Sequence, residues 1–143
     1  MLKILDRHVD EINAHAYEAA PCECCGLIGG VGDRSQTVYR LANVAEDPFV
    51  SYEAAPKDLF AAQRAMRDSG EQLLAIYHSH PRAKSPEPSE TDVRLAYYPA
   101  AVYFIVGLGN AVPCLRAFRI SERERRWETA EFEIVAATKD EPK

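Results

Sequence analysis

His78 and His80 stand two residues apart at the end of the unbroken apolar run Leu73 to Tyr77. Side chains two apart in an extended strand point to the same side, so both imidazoles can reach one metal ion while Ser79 points away. Alone, an HxH triplet is a weak signal in a chain with four histidines. A carboxylate strengthens it. Asp92 lies at the expected start of a short helix, beyond a proline-bearing loop able to fold back over the strand end, and could supply a third ligand. Two histidines and one carboxylate leave a fourth tetrahedral position for water, which is the layout of a catalytic zinc. Zinc lowers the pKa of that water toward neutrality. The blander reading of Asp92 is a helix-cap carboxylate, and one side chain can serve both roles.

Hydrolysis at such a centre also needs a base that takes a proton from water and returns it to the leaving amine, and a donor for the developing oxyanion. Glu23 and Ser89 are the candidates. Glu23 sits where the chain leaves its first helix for the apolar stretch Gly26 to Gly30. Spacing does not single it out among the 22 acidic residues.

The elements that must position these groups are legible in part. Val9, Ile12, Ala16 and Ala19 give residues 6 to 20 one apolar helical face, with Pro21 as a stop. His8 and His15 share one side of that helix and read as ordinary surface or interface histidines. Gly26 to Gly30 and Thr37 to Ala42 read as a hairpin across the GVGDRS turn. A second helix opens at Pro56, carries Leu59, Ala62 and Met66 inward and stops at Ser69-Gly70. Leu73 to Tyr77 and Ala101 to Val106 are expected to be buried strands. A short helix capped by Ser89 or Thr91 should run through Tyr97. Cys114 to Ile120 and Trp127 to Val135 are expected to form a last hairpin. Tyr77 and Tyr103 should be core aromatics with satisfied hydroxyls.

Three segments, taken together, carry a resemblance. Glu23-Cys24-Cys25-Gly26-Leu27-Ile28-Gly29-Gly30, then Ile76-Tyr77-His78-Ser79-His80-Pro81, then Pro88-Ser89-Glu90-Thr91-Asp92 resemble the JAMM (MPN-plus) metallopeptidases. That family's pattern is a glutamate ahead of a Cys-Gly pair, then HxHP, then SxxD, and all of it occurs here in order. The spacing from His80 to Asp92 is one residue longer than usual, and the SxxD spacing is kept, so the extra residue lies in the Pro81 to Pro88 loop. The resemblance implies that His78, His80 and Asp92 bind Zn2+, that Glu23 is the general base, and that Ser89 steadies the attacking water or the oxyanion. It implies an α+β fold of three layers, a mixed β-sheet flanked by helices, related to the cytidine-deaminase-like architecture. Compact prokaryotic members of this type are associated with ubiquitin-like sulfur carrier proteins that end in Gly-Gly, and cleave a peptide or isopeptide bond after that tail. Cys25 should pack in the core, and Cys24 could face the cleft, though packing is the better reading for both.

The bulk properties agree with an enzyme of this size. At 143 residues, with 47% hydrophobic and 27% charged residues, one domain over 1–137 with a fraying tail over 138–143 is expected. A net charge of -5 gives no footprint for nucleic acid, and Arg123, Arg125 and Arg126, interleaved with glutamates, read as a solvated hairpin tip. No run of about 18 apolar residues suggests a membrane span, and the start has no leader pattern, so a cytoplasmic protein with reduced thiols is expected. Self-association into a homodimer stays open. Two other readings compete with this one. Pro21-Cys22-Glu23-Cys24-Cys25 matches PCxxC, half of the zinc deaminase signature, but the HxE half is absent. A non-catalytic scaffold of the same fold would usually lack a ligand, and this chain has the whole set.

Overall fold

The computed structural model describes residues 1–137, and the expected tail over 138–143 lies outside the described residues. Among the described residues, eight strands form one mixed sheet in the order β7-β6-β5-β4-β2-β3-β1-β8. In chain order the elements are β1 (Leu2–Leu5), α1 (Asp6–Ala19), β2 (Cys25–Val31), β3 (Arg34–Leu41), α2 (Pro56–Ser69), β4 (Gln72–His80), α3 (Glu90–Arg94), β5 (Val102–Gly107), β6 (Cys114–Ser121), β7 (Arg126–Thr129) and β8 (Phe132–Val135).

Period-2 alternation divides the sheet's side chains between two cores. On one face Ile4, Ile28, Tyr77 and Phe104 pack against Ile12 and Ala16 of α1. On the other, Leu27, Ile76, Tyr103, Ile105 and Phe118 pack against Ala62 and Met66 of α2 and Val93 of α3. The three expected layers are therefore present. β4 sits between β2, antiparallel to it, and β5, parallel to it, which explains its unbroken apolar run. The tyrosine expectation also holds: Tyr77 OH lies 2.8 Å from His15 Nδ1, and Tyr103 OH accepts from Tyr98 N at 3.1 Å.

Several expectations need correction. The segment ahead of α1 is a strand, β1, which pairs in parallel with β8 and touches β3 at Lys3 and Arg34. Trp127 to Val135 is not one strand: β7 pairs with β6, and the chain then crosses to the opposite edge to run beside β1. Alternation specifies a strand and its inner face, and Phe132 does turn inward onto Phe104, 5.0 Å between centroids; it does not specify which edge is joined. The hairpin turn is tighter than the GVGDRS stretch, because pairing continues to Val31 and Arg34. α3 stops at Arg94, since the following turn bonds Tyr97 N to Leu95 O and directs Tyr98 N to Tyr103 OH. His8 is not a surface residue: it is buried, with Nδ1 2.7 Å from Ser35 Oγ. His15 is half-buried against Tyr77.

Candidate metal centre

The centre is assembled at the C-terminal end of β4. His78 pairs with Cys25 of β2 and Ile105 of β5, so its backbone is fixed from both sides and its side chain is 1% exposed. Ser79 turns to the α1 face, where its Oγ accepts Cys24 N at 2.8 Å while its own N–H donates to Cys24 O at 3.2 Å. That double clamp ties the end of β4 to the segment carrying Glu23. The Glu23 backbone is held in turn by the loop after β3: its N–H donates to Pro48 O at 2.8 Å, and its carbonyl accepts Asn43 Nδ2 at 3.0 Å.

Asp92 arrives from the other side. It is the third residue of α3, where Ser89 Oγ accepts Asp92 N at 3.0 Å and Asp92 Oδ2 accepts Ser89 N at 2.9 Å, a reciprocal capping box. The Pro81 to Pro88 loop that delivers it is anchored to the body of the fold. Gly109 N donates to Ala83 O at 2.8 Å, and Arg116 Nη1 donates to Pro86 O at 3.1 Å. A side chain on Gly107 would put Cβ 2.4 Å from Ala83 O, so the loop can close only over a glycine.

The three polar atoms form a near-regular triangle. His78 Nε2 and His80 Nε2 are 3.2 Å apart, and Asp92 Oδ2 is 3.1 Å from each. A tetrahedral zinc with bonds of about 2.0–2.1 Å keeps its ligand atoms about 3.3–3.4 Å apart. The donor set therefore fits zinc in type and in spacing. Glu23 stands one step back: its carboxylate and the two imidazoles offer atoms within 4.8 Å of one another. Glu23 is 5% exposed, and its Oε1 has no hydrogen-bond partner among the described residues. A buried, unpaired carboxylate oxygen is costly unless something polar enters beside it.

The charges of the site are coupled. Burial pushes the Glu23 carboxyl up to about 7, with His80 opposing and Asp92 reinforcing the rise. Burial also works to raise Asp92, but the His78 charge and hydrogen bonds from His78, His80 and Ser89 N hold it well below the usual carboxylate range. For His80, burial disfavours the charged form, yet Asp92 and Glu23 outweigh it and the net direction is upward.

The structure brings Glu23, His78, His80, Ser89 and Asp92 into one place. Ser89 differs in emphasis from the others, since its hydroxyl first accepts the Asp92 amide as a helix cap, leaving its hydrogen to donate elsewhere. Cys24 does not face the cleft; it packs in the α1-side core. Burial raises the Cys24 thiol to about 11 and the Cys25 thiol to about 12, and Cys25, one of the two cysteines of the PCxxC match, packs in the α2-side core. Asn43 and Tyr52, from the loop joining β3 to α2, were not singled out in the sequence. Asn43 binds the Glu23 carbonyl, and the Tyr52 ring stacks on His78 at 4.6 Å between centroids and 28° between planes. Neither carries a motif, and only the folded loop places them at the site.

The chain is 38% identical over 102 residues to the desampylase of Haloferax volcanii, covering 67% of this chain and 73% of the relative. It is 36% identical over 100 residues to the CysO-cysteine peptidase of Mycobacterium bovis, covering 68% and 67%. Protein DSY2949 from Desulfitobacterium hafniense, solved in solution, superimposes with a TM-score of 0.84 at 30% identity, covering 97% of this chain and 96% of that one. The family model for prokaryotic homologs of the JAB domain matches residues 5–121. The β2, β4 and α3 segments that build the centre all fall within that match, and the chain belongs to the prokaryotic JAB family.

Proposed function

We propose that the protein is a zinc-dependent peptidase that hydrolyses the peptide or isopeptide bond following the Gly-Gly C-terminus of a ubiquitin-like or sulfur carrier protein. The observation that carries this reading is the triangle of His78 Nε2, His80 Nε2 and Asp92 Oδ2, with the unpaired Glu23 Oε1 beside it. His78, His80 and Asp92 would hold the metal. Zinc, when bound, polarises the scissile carbonyl and acidifies water.

The remaining steps belong to the chain's own side chains. Glu23 accepts the proton of the attacking water and delivers it to the leaving amine, so one carboxylate serves as base and then as acid. Ser89 holds Asp92 through the capping box, and its hydroxyl hydrogen is free to meet the oxyanion. The substrate class is supported by the relatives that act as a desampylase and as a CysO-cysteine peptidase. A Gly-Gly tail suits the site because it would bring no side chain against the buried Glu23 and His78. The formal charge of -5 supports a protein partner over nucleic acid.

The test is cleavage of a Gly-Gly-tailed carrier bearing either a single C-terminal amino acid or an isopeptide-linked protein, with metal content measured on the same preparation. The expected result is about one zinc per chain and hydrolysis after the second glycine, lost on chelation and restored by zinc. A preparation that binds zinc stoichiometrically and cleaves neither substrate would contradict the reading.

A further inference from the structure

We infer that Tyr52 is a positioning residue for the His78 imidazole, holding the ring plane by stacking where a hydrogen bond would ordinarily do so. This rests on the zinc-site reading and adds a residue outside the motif to it. Histidines that bind metals nearly always donate their second ring N–H to a carboxylate, carbonyl or water, which fixes both tautomer and orientation. With Nε2 directed at Asp92, the second nitrogen of His78 is Nδ1, and it is buried without a hydrogen-bond partner among the described residues. What contacts the ring instead is Tyr52, stacked at 4.6 Å and 28°.

Tyr52 is itself held. The residues on either side are fixed by one side chain: Asn43 Nδ2 donates to Ser51 O at 3.0 Å, and Asn43 Oδ1 accepts Glu53 N at 3.1 Å. The same Nδ2 donates to Glu23 O, and Ala54 closes a β-bridge with Asn43. The Tyr52 ring also packs against the apolar cluster on the α2 face. One loop therefore locks the Glu23 backbone and braces the His78 ring, so the base and a ligand are positioned by a common part.

Stacking is a property of the ring and not of the hydroxyl, which separates this role from others. Zinc affinity is measured by chelator competition on metal-free wild type, Tyr52→Phe, Tyr52→Leu and Tyr52→Met, with cobalt replacing zinc in parallel for its visible spectrum. Tyr52→Phe should bind zinc within a few-fold of wild type with the same cobalt spectrum. Tyr52→Leu and Tyr52→Met should bind about 10- to 100-fold more weakly, as loss of an orienting partner does elsewhere, with an altered cobalt spectrum. A cooperative thermal melt of each metal-free variant identifies those that are folded. In wild type, ring protons of His78 should be shifted upfield by the Tyr52 ring, which needs no substitution. Absence of that shift overturns the inference, as does a folded Leu or Met variant with wild-type zinc affinity and spectrum, or a Phe variant as impaired as Leu. Wild type that binds no zinc overturns the zinc-site reading together with this one, whereas normal binding by all variants overturns this inference alone.

Discussion

Gly26→Ala should destabilise the protein substantially although it adds one methyl group. A Cβ at Gly26 would lie 2.2 Å from Tyr77 Cε2 and 2.3 Å from both Cζ and the hydroxyl oxygen, against an ordinary carbon–carbon contact of about 3.5–4.0 Å. Tyr77, the cross-strand neighbour of Gly26, is fully buried, and its hydroxyl is tied to His15. The ring therefore cannot swing aside cheaply. Overpacking costs about 1–3 kcal/mol, and the Tyr77–His15 hydrogen bond is worth about another 1 kcal/mol if it breaks, giving about 2–4 kcal/mol in all. For a domain of this size that corresponds to a fall of roughly 8–15 °C in Tm. Urea denaturation of metal-free wild type, Gly26→Ala, Tyr77→Leu and the double variant measures it. In the Tyr77→Leu background the added methyl meets no ring, so its cost should drop by at least half. A cost below about 0.5 kcal/mol in the wild-type background, or an equal cost in both, would refute the packing account.

Ser89→Ala should cost about 0.5–2 kcal/mol of stability through loss of the α3 cap and should weaken zinc binding, because the capping box is what presents Asp92; competition titration and thermal melting read the two effects, and unchanged values in both would contradict the cap assignment. Brief alkylation of the native protein at pH 8 should label Cys22 and Cys114, which are partly exposed, before Cys24 and Cys25, whose thiols burial keeps protonated; peptide mass spectrometry after a timed quench checks the order. His15 has its pKa lowered by burial first and then by Arg40. Its protonation is thus favoured on unfolding, so its contribution is fully present above its unfolded pKa of about 6.5 and is lost as pH falls below it. His15→Gln should flatten the stability decline between about pH 7 and pH 5 in the metal-free protein; an unchanged slope in denaturant titrations would count against it.

The His78 and His80 pair was legible because a strand's period of two is a local property, and the strand itself was announced by Leu73 to Tyr77. Asp92 followed with less force, since a loop of that length permits closure without requiring it. Glu23 was not readable from spacing at all. Its place beside the histidines is created by β2 pairing with β4 and by the Ser79–Cys24 clamp, contacts between segments far apart in the chain, 55 residues in the case of the clamp. Ordered similarity to a family supplied what local pattern could not. The same distinction accounts for the corrections. The alternation of Phe132 and Ile134 marks β8 as a strand, but which edge it joins depends on β1, a four-residue strand that its own sequence does not mark. The helical period placed His8 and His15 on one side of α1 but carried no information that Ser35 and Tyr77 would cover that side.

If Glu23 moves the proton while His78, His80 and Asp92 hold the metal, removing the Glu23 charge should spare zinc and stop turnover. Wild type and Glu23→Gln are compared for bound zinc and for single-turnover cleavage of a Gly-Gly-tailed carrier with a C-terminal extension. Zinc content should be the same in both, with cleavage slowed by about 10²- to 10⁴-fold in the variant, the range expected for loss of a general base. Full activity in Glu23→Gln, or loss of zinc together with loss of cleavage, would contradict that division of roles.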